Sequence, residues 1–225
     1  KAAALNHLDI WVRNGLPGIK IPLPLIMGSD GSGEIVEIGK DINKFNLGDK
    51  VVVQPGTFPD NCKFVKEKKE NFSKYYGILG ETENGIQSEY VTLSPKNIHL
   101  MSNHLSFEES ASMQLVFMTS YQMLVKRAKL KENEFVLIYG ATSGVGSAAI
   151  QIAKDMNAKV ITTVGSKDKF NYAHDMGADY VLDHSKPYIS IIKDITNNNG
   201  VDVVFEHIGP ITWDNSLRVL NKGGR

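Results

Sequence analysis

The chain has 225 residues, in which 25 Lys and Arg balance 25 Asp and Glu to a net charge of zero; that length leaves room for two modest domains or one large one, and the balance gives no electrostatic ground for a nucleic-acid or acidic-membrane partner. The single cysteine excludes an internal disulfide framework and fits a reducing, cytoplasmic compartment. No apolar run is long enough to span a bilayer, and no signal peptide is visible.

Residues before Leu100 are rich in glycine, proline and short β-type runs. Gly33 to Gly39 alternates polar and apolar residues and then turns. Gly48-Asp49 is a turn feeding Lys50 to Val53, and Ser88 to Leu93 reads as another short strand. Such spacing predicts an antiparallel, barrel-like β domain. The basic cluster Lys63 to Lys69, interrupted by Glu67, reads as a solvated loop. At Ser106 the pattern becomes helical: Ser106 with Glu109 forms a capping-box signature, and apolar residues recur through Leu115, Met118 and Leu124. The boundary therefore falls between Met101 and Leu105, giving domains over 1–104 and 105–225.

The second half alternates strands and helices. The apolar run Phe135 to Tyr139 enters the small-residue turn Gly140-Ala141-Thr142-Ser143-Gly144-Val145-Gly146, which opens an Ala-rich helix. Strands are predicted over 158–164, 178–182 and 201–205, and helices over 167–176 (stopped by Gly177), 189–196 and 211–220. This alternation predicts a parallel sheet covered on both faces, with a ligand at the carboxyl ends of the strands where strand order reverses. The turn suits a diphosphate: small side chains allow close backbone approach, and the helix start offers free N–H groups and a positive dipole end. The chain starts at Lys1 rather than Met and stops at the turn Lys222-Gly223-Gly224-Arg225, so both ends are read as truncated.

Three further segments carry a resemblance. Gly28 to Gly39 is similar to "GHEGAGVVVEVG", Phe45 to Val51 to "FxxGDRV", and Gly85 to Val91 to "GGFAEYV". With the turn at 140–146, which looks like the quinone-reductase phosphate loop, the chain resembles the medium-chain dehydrogenase/reductase superfamily over nearly its whole length. The resemblance implies an α/β fold, a Rossmann-type doubly wound parallel sheet preceded by a GroES-like β-barrel domain, and an NAD(P)H-dependent oxidoreductase acting on a small-molecule substrate. It also leaves a homodimer open for the full-length protein.

Zinc-dependent members hold a catalytic metal with Cys, His and a further Cys or Asp. Here the first ligand position is Asn6, the histidine position is Ser29 with Asp30 adjoining, and the distal cysteine position falls near Leu115. These are poor zinc ligands. The family's proton relay is also replaced, by Leu8 and Trp11. In the structural-zinc lobe, over Pro55 to Glu81, the ligand positions are Pro59, Cys62, Val65 and Ser73. No zinc is therefore expected, and the lobe is left to packing by Phe58, Phe64, Phe72 and Tyr76.

The second strand ends at Val164 rather than the Asp or Glu that binds a ribose 2′-hydroxyl, and Ser166, Lys167 and Lys169 follow. This favours NADP(H) over NAD(H), with Asp168 as the residue that argues against it. Ser166 and Lys169 are matched to phosphate contacts, and His184 to a position where relatives carry Tyr; the alternative for Ser166 is a plain helix N-cap. By resemblance, Gly140, Ala141, Ser143, Gly144, Val145 and Gly146 hold the diphosphate. His7 lies near the pyrophosphate, and Gly209 under the nicotinamide ribose. Thr119 matches a threonine near the carboxamide and Asn6 a donor to a substrate carbonyl; packing and a hydrogen-bonded turn are their respective alternatives. Hydride transfer from NADPH to a quinone or conjugated enone without zinc is the favoured reading. Its rivals are a zinc alcohol dehydrogenase and a non-catalytic NADPH-binding protein. A short-chain dehydrogenase would need a Tyr-x-x-x-Lys pair, but Ile192 stands four residues after Tyr188.

Overall fold

The computed structural model describes all 225 residues. It divides into two compact units, Lys1–Leu115 and Val116–Arg225, so the division falls inside a helix over Phe107–Tyr121.

In the first unit, β1 (Ala2–Ala4), β2 (Asp30–Glu34), β3 (Lys50–Val53) and β6 (Ile98–Leu100) form an antiparallel sheet in the order β1-β2-β3-β6. A separate ribbon pairs β4 (Gly56–Thr57) with β5 (Gly77–Ile78). The strands form a four-stranded sheet plus a ribbon, antiparallel as the spacing predicts, and the barrel itself is not seen. The run from Gly33 contributes only Gly33 and Glu34 to β2. Ile35 still exchanges hydrogen bonds with the chain at Gly48 and Asp49 (2.8 and 3.0 Å), and the pairing ends there. Ser88 to Leu93 forms no strand; Tyr90 is 76% exposed, because the alternating pattern has no neighbouring strand to complete its ladder.

Helix α1 (His7–Asn14) follows β1, and α2 (Lys63–Lys66) lies in the lobe between β4 and β5. That lobe is braced by aromatic pairs, Phe64 edge-on to Phe72 at 6.2 Å and Phe58 stacked on Tyr76 at 6.5 Å. Helix α3 (Phe107–Tyr121) starts at the reciprocal box read from the sequence: the Ser106 N–H donates to Glu109 Oε2 (2.8 Å) and the Glu109 N–H to Ser106 Oγ (3.1 Å).

The second unit is built on β7 (Phe135–Ile138), β8 (Lys159–Val164), β9 (Tyr180–Asp183) and β10 (Val203–Phe205), all parallel, in the order β10-β7-β8-β9. Between them run α4 (Gly144–Asp155), α5 (Phe170–Asp175) and α6 (Ile189–Ile195), and α7 (Pro210–Val219) follows β10. Alternate strand residues serve two cores. Val136, Ile138, Val160 and Phe205 pack with Ile150 and Ala153 of α4 and Ala173 of α5. Leu137, Tyr139 and Ile161 pack on the other side with Ile192 of α6 and Val219 of α7. Both faces are thus covered, which is why these strands read as continuous apolar runs. Strand order reverses between β7 and β10, the place where open α/β sheets bind ligands at the carboxyl ends of their strands. At the free edge of β10 the Arg225 N–H donates to the Asp202 C=O and the Val204 N–H to the Arg225 C=O, both at 3.0 Å, a parallel bridge.

Candidate functional site

In the second unit the turn after β7 takes the form its residues demand. Gly140 has φ 65°, a conformation cheap only for glycine, and a Cβ on Gly146 would collide with the Gly140 carbonyl oxygen. Ser143 is the N-cap of α4, its Oγ accepting from the Gly146 N–H at 3.0 Å. Its hydroxyl hydrogen remains available to an anion. The first bond inside α4 runs from the Ser147 N–H to the Ser143 C=O (2.9 Å), so the N–H groups of Gly144 and Val145 precede the ladder and have no partner within it. The turn is fastened to β8 by the Gly140 N–H on Thr163 Oγ1 (3.2 Å) and the Ala141 N–H on the Thr163 C=O (2.9 Å). From α3, the buried Ser120 hydroxyl donates to the Val145 C=O at 2.9 Å.

Of the other expected cofactor residues in this unit, His184 comes next to the turn's anchor. His184 follows β9, with Nδ1 3.3 Å from Thr163 Oγ1, and a Cβ on Gly165 would come 3.1 Å from its Nε2. Ser166 is extended and opens the short turn before α5. Its side chain bonds to Asp168, which holds that carboxyl below its ordinary pKa. Lys169 is exposed. Gly209, at φ 100°, caps α7. Thr119 is exposed on α3.

In the first unit, three of the positions matched to a metal site converge. Asn6 Nδ2 donates to Asp30 Oδ2 (2.9 Å), and the Leu115 N–H donates to Asp30 Oδ1 (3.0 Å). The Ser29 hydroxyl donates instead to the Leu79 C=O (2.8 Å). Asp30 is 1% exposed. Burial pushes its carboxyl up to about 6, against the hydrogen bonds from Asn6 and Leu115, and nearby Asp9 adds to the rise. Asn6 is fixed from below by a reciprocal pair: its N–H donates to Asp9 Oδ2 (2.7 Å) and the Asp9 N–H to the Asn6 C=O (3.0 Å). His7, one residue on, is exposed and edge-on to Trp11 at 4.9 Å. No group of three or more His, Cys, Asp or Glu side chains with metal-binding geometry forms anywhere. A cavity of about 770 Å³ in this unit, lined by Phe58, Tyr75, Leu79, Tyr90 and Lys96 among others, contains none of the expected site residues.

The description "alcohol dehydrogenase GroES-like domain" matches residues 1–103, and "zinc-binding dehydrogenase" matches residues 144–225. A quinone oxidoreductase from Sus scrofa is 28% identical over 225 residues, covering 100% of this chain and 60% of its own length. An NAD-dependent alcohol dehydrogenase from Sulfolobus acidocaldarius is 31% identical, covering 99% of this chain and 66% of its own length. A crystal structure described as an NAD-dependent alcohol dehydrogenase superposes with TM-score 0.96 at 39% identity, covering 99% of this chain and 65% of that one. The chain belongs to the medium-chain dehydrogenase/reductase superfamily. It spans roughly two thirds or less of the length of these superfamily relatives.

Several residues that shape this superfamily member's two sites carry no motif. Thr163 and Ser120 are buried hydroxyls, and buried polarity is the signal that marks them. Leu115 acts through its backbone N–H, which no side-chain pattern discloses. Glu206, directly after β10, gathers the loop that ends at Gly209.

Proposed function

We propose that the protein is a nicotinamide-dependent oxidoreductase that reduces an electron-poor carbonyl acceptor, a quinone or conjugated enone, without a catalytic zinc and with NADP(H) preferred over NAD(H). The observation that carries this reading is the donor set around Asp30. Zinc takes thiolate, imidazole and carboxylate ligands in a tetrahedral set. Among the positions matched to metal ligands Asp30 is the one such group, Asn6 turns an N–H hydrogen toward it, and the Ser29 hydroxyl is committed to Leu79. These residues do not fit the metal.

The residues of the 140–146 turn do fit a dinucleotide diphosphate: two first-turn amides, a capping hydroxyl with its hydrogen free, and a helix N-terminus. When bound, the nicotinamide group supplies the hydride. Asn6 then has one chemical task. Its carboxamide carries two N–H hydrogens; one is held by Asp30, and the other is free to bond the acceptor oxygen. An unactivated ketone needs a Lewis acid to stabilise the forming alkoxide, whereas a quinone disperses that charge itself and needs chiefly positioning. The absence of a carboxylate at Val164 and Gly165, with Ser166, Lys169 and His184 nearby, supports the 2′-phosphate preference. The single cysteine supports a reducing compartment such as the cytoplasm.

The test is a turnover screen of the full-length protein with NADPH and NADH against quinones, enones and alcohols. Quinone or enone reduction with NADPH is the expected result, and its absence contradicts the reading. Asn6→Ala should lower kcat for the acceptor about 100-fold, as loss of a transition-state donor does, while NADPH affinity stays unchanged. A second reading is favoured by the relatives of 31% and 39% identity, both described as NAD-dependent alcohol dehydrogenases. Stoichiometric zinc in the purified protein, together with alcohol oxidation by NAD, would establish that reading instead.

A further inference from the structure

One side chain gathers four of the hydrogen bonds around the loop after β10. Glu206 Oε1 accepts from the Ile208 N–H (2.8 Å), the Gly209 N–H (3.0 Å) and the Thr212 hydroxyl (3.0 Å), and Oε2 lies 2.5 Å from Ser216 Oγ. Packing does little to fix this loop: Ile208 is 46% exposed, and the space beside Gly209 is open.

Donor counting gives the network behind Glu206 a direction. Its carboxylate is ionised, because the hydrogen bonds from Ser216, Gly209, Ile208 and Thr212 outweigh the upward push of burial. It can then only accept, as can the Thr212 C=O 3.0 Å from Ser216 Oγ, and the single hydroxyl hydrogen of Ser216 goes to Oε2, the nearer of these two acceptors. The contact of 3.1 Å between Ser216 Oγ and Tyr139 Oη is therefore a donation from Tyr139. Tyr139 in turn accepts from the Tyr188 hydroxyl (3.3 Å), and Tyr188 accepts from Asn215 Nδ2 (3.2 Å). Tyr139, Tyr188 and Ser216 are buried, so each bond broken there leaves a polar group without a partner. Tyr139 is also the residue before Gly140, and its carbonyl accepts from His207 Nε2 at 3.0 Å. That acceptor requires the hydrogen on Nε2. The network thus joins the chain ends of β7 and β10, the two strands that flank the reversal in strand order.

We propose that Glu206 is a positioning residue for the nicotinamide cofactor: its carboxylate sets the His207–Gly209 loop and, through Ser216 and Tyr139, registers that loop against the phosphate turn. The inference rests on the nicotinamide-binding reading above, and adds the residue that aligns the two loops for the ligand.

The experiment is a titration of the intact protein with NADPH, followed by nicotinamide fluorescence, alongside thermal unfolding of each variant. Glu206→Ala should weaken NADPH binding about tenfold and raise the KM for NADPH, with kcat at saturating cofactor little changed. Glu206→Gln keeps an acceptor oxygen for the loop amides and lets the hydroxyl chain reverse by rotation of its O–H groups. It should restore affinity to within about threefold of wild type, a rescue that a requirement for the charge itself would not show. Should Glu206→Ala fail to fold, Ser216→Ala, which leaves the loop donors on Oε1 and removes the Ser216 contacts to Oε2, Tyr139 and the Thr212 C=O, should weaken NADPH binding about threefold. Wild-type affinity in a folded Glu206→Ala or, where that variant does not fold, in Ser216→Ala overturns the inference alone, as does Glu206→Gln binding no better than Glu206→Ala. No NADPH binding by the wild type overturns the nicotinamide reading and this inference with it.

Discussion

The two candidate sites are made of different material. In the second unit the groups aimed at a ligand are backbone amides, shaped by Gly140 and Gly146 and fastened by Thr163. In the first unit the groups are side chains, Asn6 and Asp30, set on a helix start and a strand. A backbone site cannot change its chemistry without changing its fold. A side-chain site can keep its geometry while its residues are exchanged. The convergence of Asn6, Asp30 and Leu115 at the positions matched to metal ligands is that second case: the scaffold persists and the donor set differs.

The largest effect should come from breaking the backbone site. Gly146→Ala drives a Cβ into the Gly140 carbonyl oxygen, a backbone atom that cannot rotate aside, so the strain should reach or exceed about 3 kcal/mol. NADPH titration should show binding weakened by ~100-fold or more, and a variant binding as the wild type would show that this turn is not the diphosphate site. The side-chain site should respond to pH instead. Folding raises the Asp30 carboxyl from 3.8 to about 6, so the folded state binds that proton more tightly than the unfolded one. The site's contribution to stability is therefore greatest below about pH 4 and is lost as pH rises through about 6, by at most about 3 kcal/mol. Denaturant unfolding of wild type and Asp30→Asn across this range should show the wild type losing ground by that amount as pH rises; parallel curves would place Asp30 in water-like surroundings.

The same division decides what was legible in the sequence. The parallel unit announces itself because each strand is apolar on both faces and each helix has its own stop, as at Gly177, so its elements and the phosphate turn follow from local pattern. The antiparallel unit depends on partners. Ser88 to Leu93 alternates like a strand but has no neighbour, while β1 is three alanines and β2 is Asp-Gly-Ser-Gly-Glu, a composition that only tertiary pairing turns into strand. Asn6 and Asp30 were placed by resemblance, but their hydrogen bond to each other and the Leu115 N–H that completes it are products of folding. Glu206 was invisible for a similar reason: its four donors lie two to ten residues away on a loop and a helix, and no spacing rule connects them.

A smaller effect should sharpen the cofactor preference. Lys169 is exposed, so removing it costs little: Lys169→Ala should weaken NADPH binding about two- to fivefold and leave NADH unchanged. Asp168 bonds Ser166 and would compete with a 2′-phosphate for it, so under the proposed preference Asp168→Asn should tighten NADPH selectively. Equal shifts for both nucleotides in a paired titration would remove the argument for a 2′-phosphate contact here.

The smallest effect tests what fastens the lobe between β4 and β5. Cys62 retains a hydrogen bond to Ser73 at 3.4 Å, a weak thiol contact. That bond, with the Phe64 amide, lowers the thiol's pKa against the opposing effect of burial. The pairs Phe64–Phe72 and Phe58–Tyr76 also brace the lobe. An aromatic pair contributes about 0.5–1.5 kcal/mol beyond its buried area. Phe64→Ala should therefore lower the unfolding midpoint by several degrees, whereas Cys62→Ala should shift it by no more than about 2 °C. The opposite ranking, or a melting temperature of the wild type that falls on treatment with a chelator, would mean that a thiolate still fastens the lobe and that the first unit has kept more of its metal chemistry than the Asn6 site has.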